Sequence, residues 1–431
     1  MHASPTRTLW VESHPEIRPE EWLLFDLAKI NPSRADIDDA IALTGTDGFS
    51  WTNAWNLATR LWVHGLVAKN VRDEPKLVAR VPHELKPLLT LAQFAAKTRC
   101  ALYVEATTPA FVRLMELGIP FALMKGAAML SRFPPGTRLL NDLDLLIRQD
   151  DYAEVANTFQ ACGFQRMLSK EVSSLGQDEA YQLRTDNEIT FARRSQQRPL
   201  SIDVHWSMQN IQLPFVIDTR SVLSRASPVA FGDINVPALS PEDTLINYGV
   251  QLFTDGLTVG FLRLADIHAV ATEAIRWDVL CENTIRAQSA GATYLALMAA
   301  RSMGANVPDD VCRTLEAACR GCRFGAQIIV EPRWPLDRFR LAGSAPHVLT
   351  PLFCRSRRYW MVRIASLPRQ AYIYNRQTGR HPLRSMSAAA RTSVHAVVSA
   401  IAVLGLWIGR GPRTRLATRR LRNVLWRRRE A

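Results

Sequence analysis

The N-terminal stretch MHASPTRTLWVESHPEIRPE lacks the apolar core of a secretory leader, so secretion is not expected. The apolar run 394–408 is only 15 residues long and contains His395, short of the ~20 residues a spanning helix needs. The cysteines form no paired framework. There are seven, an odd number, scattered at Cys100, Cys162, Cys281, Cys312, Cys319, Cys322 and Cys354, which points to a reducing compartment. Cys319 and Cys322 have CxxC spacing, but no second pair and no nearby histidine completes a zinc site. Lysine is missing from the last quarter. From Arg320 onward there are 23 arginines, no lysine and three acids, a net +20, so the preceding 319 residues carry −7 of the total +13. This excludes a uniformly basic protein. An acidic body carries a basic extension, and an anionic partner suits the extension alone.

The 431 residues are 47 % apolar and 22 % charged. That is the composition of a globular chain long enough for two or three domains. Residues 1–105 read as a helical region. Glu20 and Glu21 open an apolar run, and Ser50 or Thr52 caps a helix through Trp55, Leu57, Leu61 and Trp62. These residues have core spacing, and no face gathers arginine, asparagine and glutamine. A packing role is therefore expected rather than DNA recognition. Residues 106–215 read as a small strand-rich core. Strands are expected at 119–124, 143–147, 189–192 and 200–206, with helices at 127–133 and 152–162. Residues 216–325 read as helical again, opening at Ser240-Pro241-Glu242-Asp243, and 326–431 as a basic arginine-rich extension. The class is α+β, a small mixed sheet flanked by helical regions.

The densest chemistry lies between Phe121 and Ile147, FALMKGAAMLSRFPPGTRLLNDLDLLI. Asp142 and Asp144 stand two apart on an apolar strand and so share one side of it. Carboxylates placed there call for a cation, and one or two magnesium ions suit them. In the strand 200–206, Asp203 and His205 share the face opposite Ile202, Val204 and Trp206. If the two strands lie side by side, Asp203 completes a three-carboxylate set for two-metal phosphoryl transfer, in which it also accepts or relays a proton. Lys125-Gly126, at the end of the first strand, offers a phosphate contact and a helix N-terminus. Arg138 either binds a triphosphate oxygen or braces the aspartates. His205 either orients Asp203 or a substrate, or is a satisfied core histidine.

Lys125-Gly126, Arg138, Asp142-Leu143-Asp144-Leu145-Leu146, Gly163-Phe164 and Asp203-Val204-His205-Trp206 together resemble the uncharacterised bacterial nucleotidyltransferase family of the DNA polymerase beta superfamily. The likeness extends over roughly residues 20–300, with Trp277-Asp278 in its later helices. It implies a nucleotidyltransferase fold and magnesium-dependent transfer of a nucleoside monophosphate from a nucleoside triphosphate such as ATP. Two ions would be held by Asp142, Asp144 and Asp203, and the nucleotide by Lys125, Gly126 and Arg138. The acceptor would be a hydroxyl on a small molecule, peptide or protein. In the wider superfamily a Gly-Ser step precedes the first helix and its hydroxyl binds phosphate. Here Lys125-Gly126 is followed by Ala127, so the phosphate contact differs in kind. The same departure supports a second expectation, a catalytically degenerate fold that serves as a binding or scaffold module placed by its basic tail. Gln251 lies near the place where members of the family commonly carry a histidine.

The tail places an apolar segment before Arg413, Arg415, Arg419, Arg420, Arg422, Arg427, Arg428 and Arg429, with Leu421, Val424 and Leu425 as an apolar stripe. This pattern suits a peripheral seat on an anionic membrane surface, and a cytoplasmic protein on the inner face of the membrane is the corresponding expectation. RNA or an acidic protein is the alternative partner, and a helix packed on the body with a solvated basic face the third reading. Few aromatics interleave the tail arginines, which disfavours stacking on single-stranded bases.

Overall fold

The computed structural model describes residues 18–319 apart from 170–172, 174–177, 196–198, 210–212, 214 and 255–259. The arginine-rich extension, its apolar and basic tail segments, and Cys322 lie outside the described residues. Cys319 is disulfide-bonded, whereas Cys100, Cys162, Cys281 and Cys312 are free. The scattered cysteines are therefore not all unpaired, as their spacing suggested.

The chain begins with short helices: α1 (Pro19–Leu27), α2 (Arg34–Leu43), α3 (Trp51–Arg60), α4 (His64–Asp73) and α5 (Pro75–Arg80). α2 and α3 have side-chain caps, that of α3 being the Ser50 cap the sequence suggested. Ser33 Oγ accepts from Asp36 N at 3.2 Å while Asp36 Oδ2 accepts from Ser33 N at 2.9 Å, a reciprocal capping box. Ser50 Oγ likewise accepts from Asn53 N. Leu57 and Ala58 of α3 are buried, with Trp55 and Leu61 packed against the same cluster, so this part packs as expected. Trp62 does not. It stands just past the helix end at φ 63° and is 41 % exposed. A left-handed residue there closes the last turn, with Val63 N bonded to Ala58 O at 3.0 Å, and that turn carries the indole off the core face.

A single 31-residue helix, α6 (Lys86–Glu116), follows. It runs through the boundary expected at residue 105, so the helical region and the sheet share this element. Then come β1 (Phe121–Met124), a one-turn α7 (Lys125–Ala128), β2 (Leu143–Ile147), α8 (Tyr152–Ala161), β3 (Gln165–Met167), α9 (Glu179–Thr185), β4 (Glu188–Arg193) and β5 (Leu200–His205). The expected helix 127–133 is reduced to α7 and turns of the type Leu130 N to Ala127 O. Pro134-Pro135 lies directly ahead and disfavours helical backbone before it. Beyond α10 (Thr219–Ser224), a hairpin of β6 (Ser227–Phe231) and β7 (Ile234–Ala238) precedes the helices α11 (Pro241–Thr254), α12 (Phe261–Ala271), α13 (Trp277–Arg286), α14 (Ala290–Ser302) and α15 (Asp309–Ala318). The hairpin was not foreseen, since residues 216–325 read as helical. Its strands are short, and Pro228 and Pro237 interrupt their patterns. Proline is tolerated on β6, the edge strand, and on β7, which meets β1 at Ala238 alone.

The seven strands form one mixed sheet in the order β3-β4-β5-β2-β1-β7-β6. β2 runs parallel to β5 and antiparallel to β1, and β4 runs antiparallel to β5. Alternation along the strands sorts the side chains. Leu143, Leu145, Ile147, Ile189, Phe191, Ile202 and Val204 join Phe111 of α6 and Phe159 of α8 in one core. Each fully buried phenylalanine there contributes about 1.5–3 kcal/mol of transfer free energy. The opposite face presents Ala122, Met124 and Leu146 to a second core built with α11, α12 and α14. Polar residues on that second face therefore look toward the helical region. Among the described residues, no helix is long and apolar enough to cross a membrane.

Candidate active site

β2 and β5 are neighbours, and their register sets Asp144 opposite Asp203 and Leu146 opposite His205. The adjacency that the sequence left conditional is thus present. β4 adds two residues to the same face, because Thr190 pairs with Asp203 and Glu188 with His205. On the other side, Met124 at the end of β1 pairs with Asp144, which places Lys125 at the mouth of the site. One face of β2, β5 and β4 therefore carries Asp144, Asp203, His205, Thr190 and Glu188, with Asp142 just ahead of β2 and Lys125 just past β1 beside it.

Asp144 is the hub. Its Oδ1 accepts from Lys125 Nζ at 2.6 Å and from His205 Nε2 at 2.8 Å. Burial alone would raise its pKa, but the Lys125 and His205 charges outweigh that and hold the carboxyl well below the usual range. His205 Nδ1 lies 2.9 Å from Glu188 Oε2. A carboxylate offers no proton, so both ring nitrogens donate and the imidazole is a cation. Burial and Lys125 oppose that charge, while the hydrogen bonds to Asp144 and Glu188 favour it and raise the pKa. Burial works against the Glu188 carboxylate in the same way, and its bond to His205 lowers the pKa. His205 touches Asp144 and Glu188 rather than Asp203, which was one of the partners left open for it. Asp203 Oδ1 accepts instead from Thr190 Oγ1 at 2.6 Å. Burial raises the Asp203 carboxyl, with Asp144 and Glu188 adding to it and Thr190 opposing.

Asp142 opens to solvent at the rim. The protein behind it strips hydration, and the like charges of Asp144 and Asp203 then push its carboxyl up to about 6. Around neutrality the four carboxylates Asp142, Asp144, Asp203 and Glu188 face two cations, Lys125 and His205, leaving two negative charges uncompensated. A hard divalent cation would relieve that excess, and three carboxylates are a donor set that magnesium takes. The donor chemistry fits. As they stand, however, the side chains do not converge. Among the described residues, no three His, Cys, Asp or Glu side chains are gathered to hold one ion, and Asp144 Oδ1 is turned to Lys125 and His205.

Two expected contacts take other forms. Arg138 was expected to bind phosphate or to brace the aspartates. Its Nε and Nη2 instead bind both oxygens of Asp266 of α12, at 2.8 and 2.7 Å, with all partners buried. Tyr248 of α11 donates to Asp266 Oδ2 at 2.7 Å. Burial disfavours the guanidinium charge, but Asp266 more than restores it. Arg138 is a structural clamp committed to the helical region, and no donor of that two-pronged contact is free for a phosphate. Gly126 belongs to the same clamp: a Cβ on it would meet Arg138 Nη1 at 2.8 Å. The helix N-terminus expected at Lys125-Gly126 is a single turn, too short to act as an anion site through its dipole.

Glu188, Thr190, Asp266 and Tyr248 escaped the sequence reading. Glu188 and Thr190 alternate with the buried Ile189 and Phe191, a half-buried strand pattern that marks a polar face. The pairing of Asp266 with Arg138 left no trace in sequence spacing.

An open mixed sheet with paired carboxylates on parallel neighbouring strands is an arrangement suited to phosphoryl-group chemistry. The sequence profile of the family described as uncharacterised nucleotidyltransferase matches residues 47–305, more than half of the chain. The chain belongs to that family, and its general chemistry is nucleotidyl transfer. Comparison with curated proteins finds no match. Among solved structures, the chain is similar to an antigenic nucleotidyltransferase-like protein from Paracoccidioides brasiliensis. Identity is 17 %, the alignment covers 49 % of this chain and 92 % of that one, and the TM-score is 0.31. A likeness at that score bears on neither the fold nor the function of this chain.

Proposed function

We propose that this protein transfers a nucleoside monophosphate from a nucleoside triphosphate, ATP being the first donor to try, to a hydroxyl on a small molecule, peptide or protein. The observation that carries the reading is the register pair Asp144–Asp203, with Asp142 just ahead of β2 and within reach of both charges. Asp142, Asp144 and Asp203 would hold magnesium, and a second ion would arrive with the triphosphate. Bound magnesium supplies charge neutralisation at the phosphates and a more acidic acceptor hydroxyl. The chain's own residues do the rest. Lys125 offers the phosphates an ammonium, and Asp203, with Thr190 on one oxygen, receives the proton of the acceptor hydroxyl. The acceptor oxygen bonds to the α-phosphorus, the α–β bridging P–O bond breaks, and pyrophosphate leaves.

The test is label transfer into a metabolite and protein extract from α-labelled and, separately, γ-labelled triphosphates. The reading expects label from the α position only, abolished in Asp203→Asn. Transfer from the γ position, or transfer that survives Asp203→Asn, would contradict it.

For location, we propose that the arginine-rich tail seats the protein on the anionic inner face of a membrane. The net +20 of residues 320–431 supports this. Flotation with vesicles containing phosphatidylglycerol should carry the full chain and leave behind a chain truncated after Ser393. Equal flotation of both would overturn it.

A further inference from the structure

Two basic residues flank the strand-turn that enters the site, and they are held differently. Arg138 is locked by two hydrogen bonds to buried Asp266 and wedged against Gly126. Among the described residues Lys125 makes one hydrogen bond, Nζ to Asp144 Oδ1 at 2.6 Å, on a flexible four-carbon stem whose side chain keeps 23 % exposure. Its backbone adopts φ 46°, a left-handed conformation that a non-glycine residue keeps only where its surroundings impose it. That conformation turns the chain sharply out of β1. The Lys125 ammonium also feels Glu188 and Asp142, so it serves the acidic cluster as a whole.

The oxygen that Lys125 holds belongs to the central member of the carboxylate set. An ammonium and a divalent cation drawn to Asp144 repel each other across a few ångströms, and in a partly buried site that repulsion is weakly screened. A triphosphate changes the balance, since it brings anionic oxygens that can take the ammonium.

Resting on the proposed nucleotidyl-transfer reading, we infer that Lys125 is an exchangeable counter-charge. It neutralises Asp144 in the nucleotide-free site and passes to the phosphates when triphosphate and metal arrive, coupling divalent-cation binding to nucleotide binding. This also gives the Lys125-Gly126 step a role that a Gly-Ser step cannot perform, because a hydroxyl carries no charge to exchange. Coupling of this kind is reciprocal: whatever factor the nucleotide adds to metal affinity, the metal adds to nucleotide affinity.

The experiment measures free Mn2+ by electron paramagnetic resonance during titration of the full chain, with and without a triphosphate carrying an α,β-methylene bridge. Wild type should bind Mn2+ weakly alone and at least about tenfold tighter with the analogue. Lys125→Met keeps the stem and removes the charge. It should bind Mn2+ alone about tenfold or more tighter than wild type, and gain little further from the analogue. Lys125→Gln keeps a hydrogen bond to Asp144 and should move in the same direction, which guards against a folding defect in the first variant. Tightening shows that the ammonium competes with the metal, and the loss of the analogue's further gain in Lys125→Met is what reports its passage to the phosphates. If both variants bind Mn2+ no tighter than wild type while wild type still binds it with the analogue, the exchange is overturned and the proposed function stands. If wild type binds no Mn2+ in either condition, both fall.

Discussion

Arg138 and Asp266, 128 positions apart in the chain, meet in a buried two-pronged ion pair at the base of the site. The pair joins the turn leading into β2 to α12, and so fixes the sheet against the helical region. Breaking one side leaves a buried charge uncompensated. Arg138→Met should lower stability by about 3–5 kcal/mol, and Arg138→Met with Asp266→Leu should recover part of that loss. Urea unfolding of the three proteins measures it. A cost below about 1 kcal/mol for Arg138→Met would show the clamp to be dispensable.

Gly126→Ala tests the same clamp from the other side. The added Cβ would lie 2.8 Å from Arg138 Nη1 and 3.2 Å from Leu140 Cδ1. The guanidinium cannot yield cheaply while Asp266 holds it. A loss of about 1–3 kcal/mol is expected in wild type and a markedly smaller one in the Arg138→Met background. Equal losses in both backgrounds would mean that Arg138 is not what excludes a side chain at 126.

His268 of α12 is expected to add to the loss of stability in acid. Among the described residues its Nδ1 has no hydrogen-bond partner. Burial and the neighbouring Lys29 charge lower its pKa from 6.5 to about 4, with Asp36 in partial opposition. A histidine with a depressed pKa stays neutral in the fold while the unfolded chain takes up a proton first. Its contribution is therefore intact above pH 6.5 and is lost as pH falls from there toward 4. The loss amounts to roughly 3 kcal/mol at most. In paired urea titrations at about pH 7.5 and pH 4.5, His268→Gln should lose less stability than wild type between the two conditions. Parallel losses would show that the histidine adds nothing to the loss in acid.

The sequence made the middle of the sheet and its carboxylates legible because alternation exposes them. Asp144 interrupts LDLLI, and Asp203 and His205 alternate with Ile202, Val204 and Trp206. Local periodicity therefore announced both the strands and the acidic face. It could not announce the partners that other strands supply. Glu188 joins His205 only through the β4–β5 register, and Asp266 reaches Arg138 only because the fold brings α12 against the turn before β2. Arg138 shows the same limit: a basic residue four positions before Asp142 suggests a phosphate contact or a brace for the aspartates, and spacing gives no sign of its bond to a distant acid. The β6–β7 hairpin was missed because Pro228 and Pro237 mask its alternation. Trp62 misled in the opposite sense, since core spacing holds only while the helix continues, and α3 ends at Arg60.

Asp142, Asp144 and Asp203 are proposed above all to form a metal-dependent triphosphate site. Calorimetry of the full chain with each of the four ribonucleoside triphosphates, with and without magnesium, probes that site when repeated on Asp142→Asn/Asp144→Asn. Magnesium-dependent binding of at least one triphosphate to wild type, and none to the double variant, is the expected result. Unchanged binding in the double variant, or no binding to wild type with magnesium present, would contradict it.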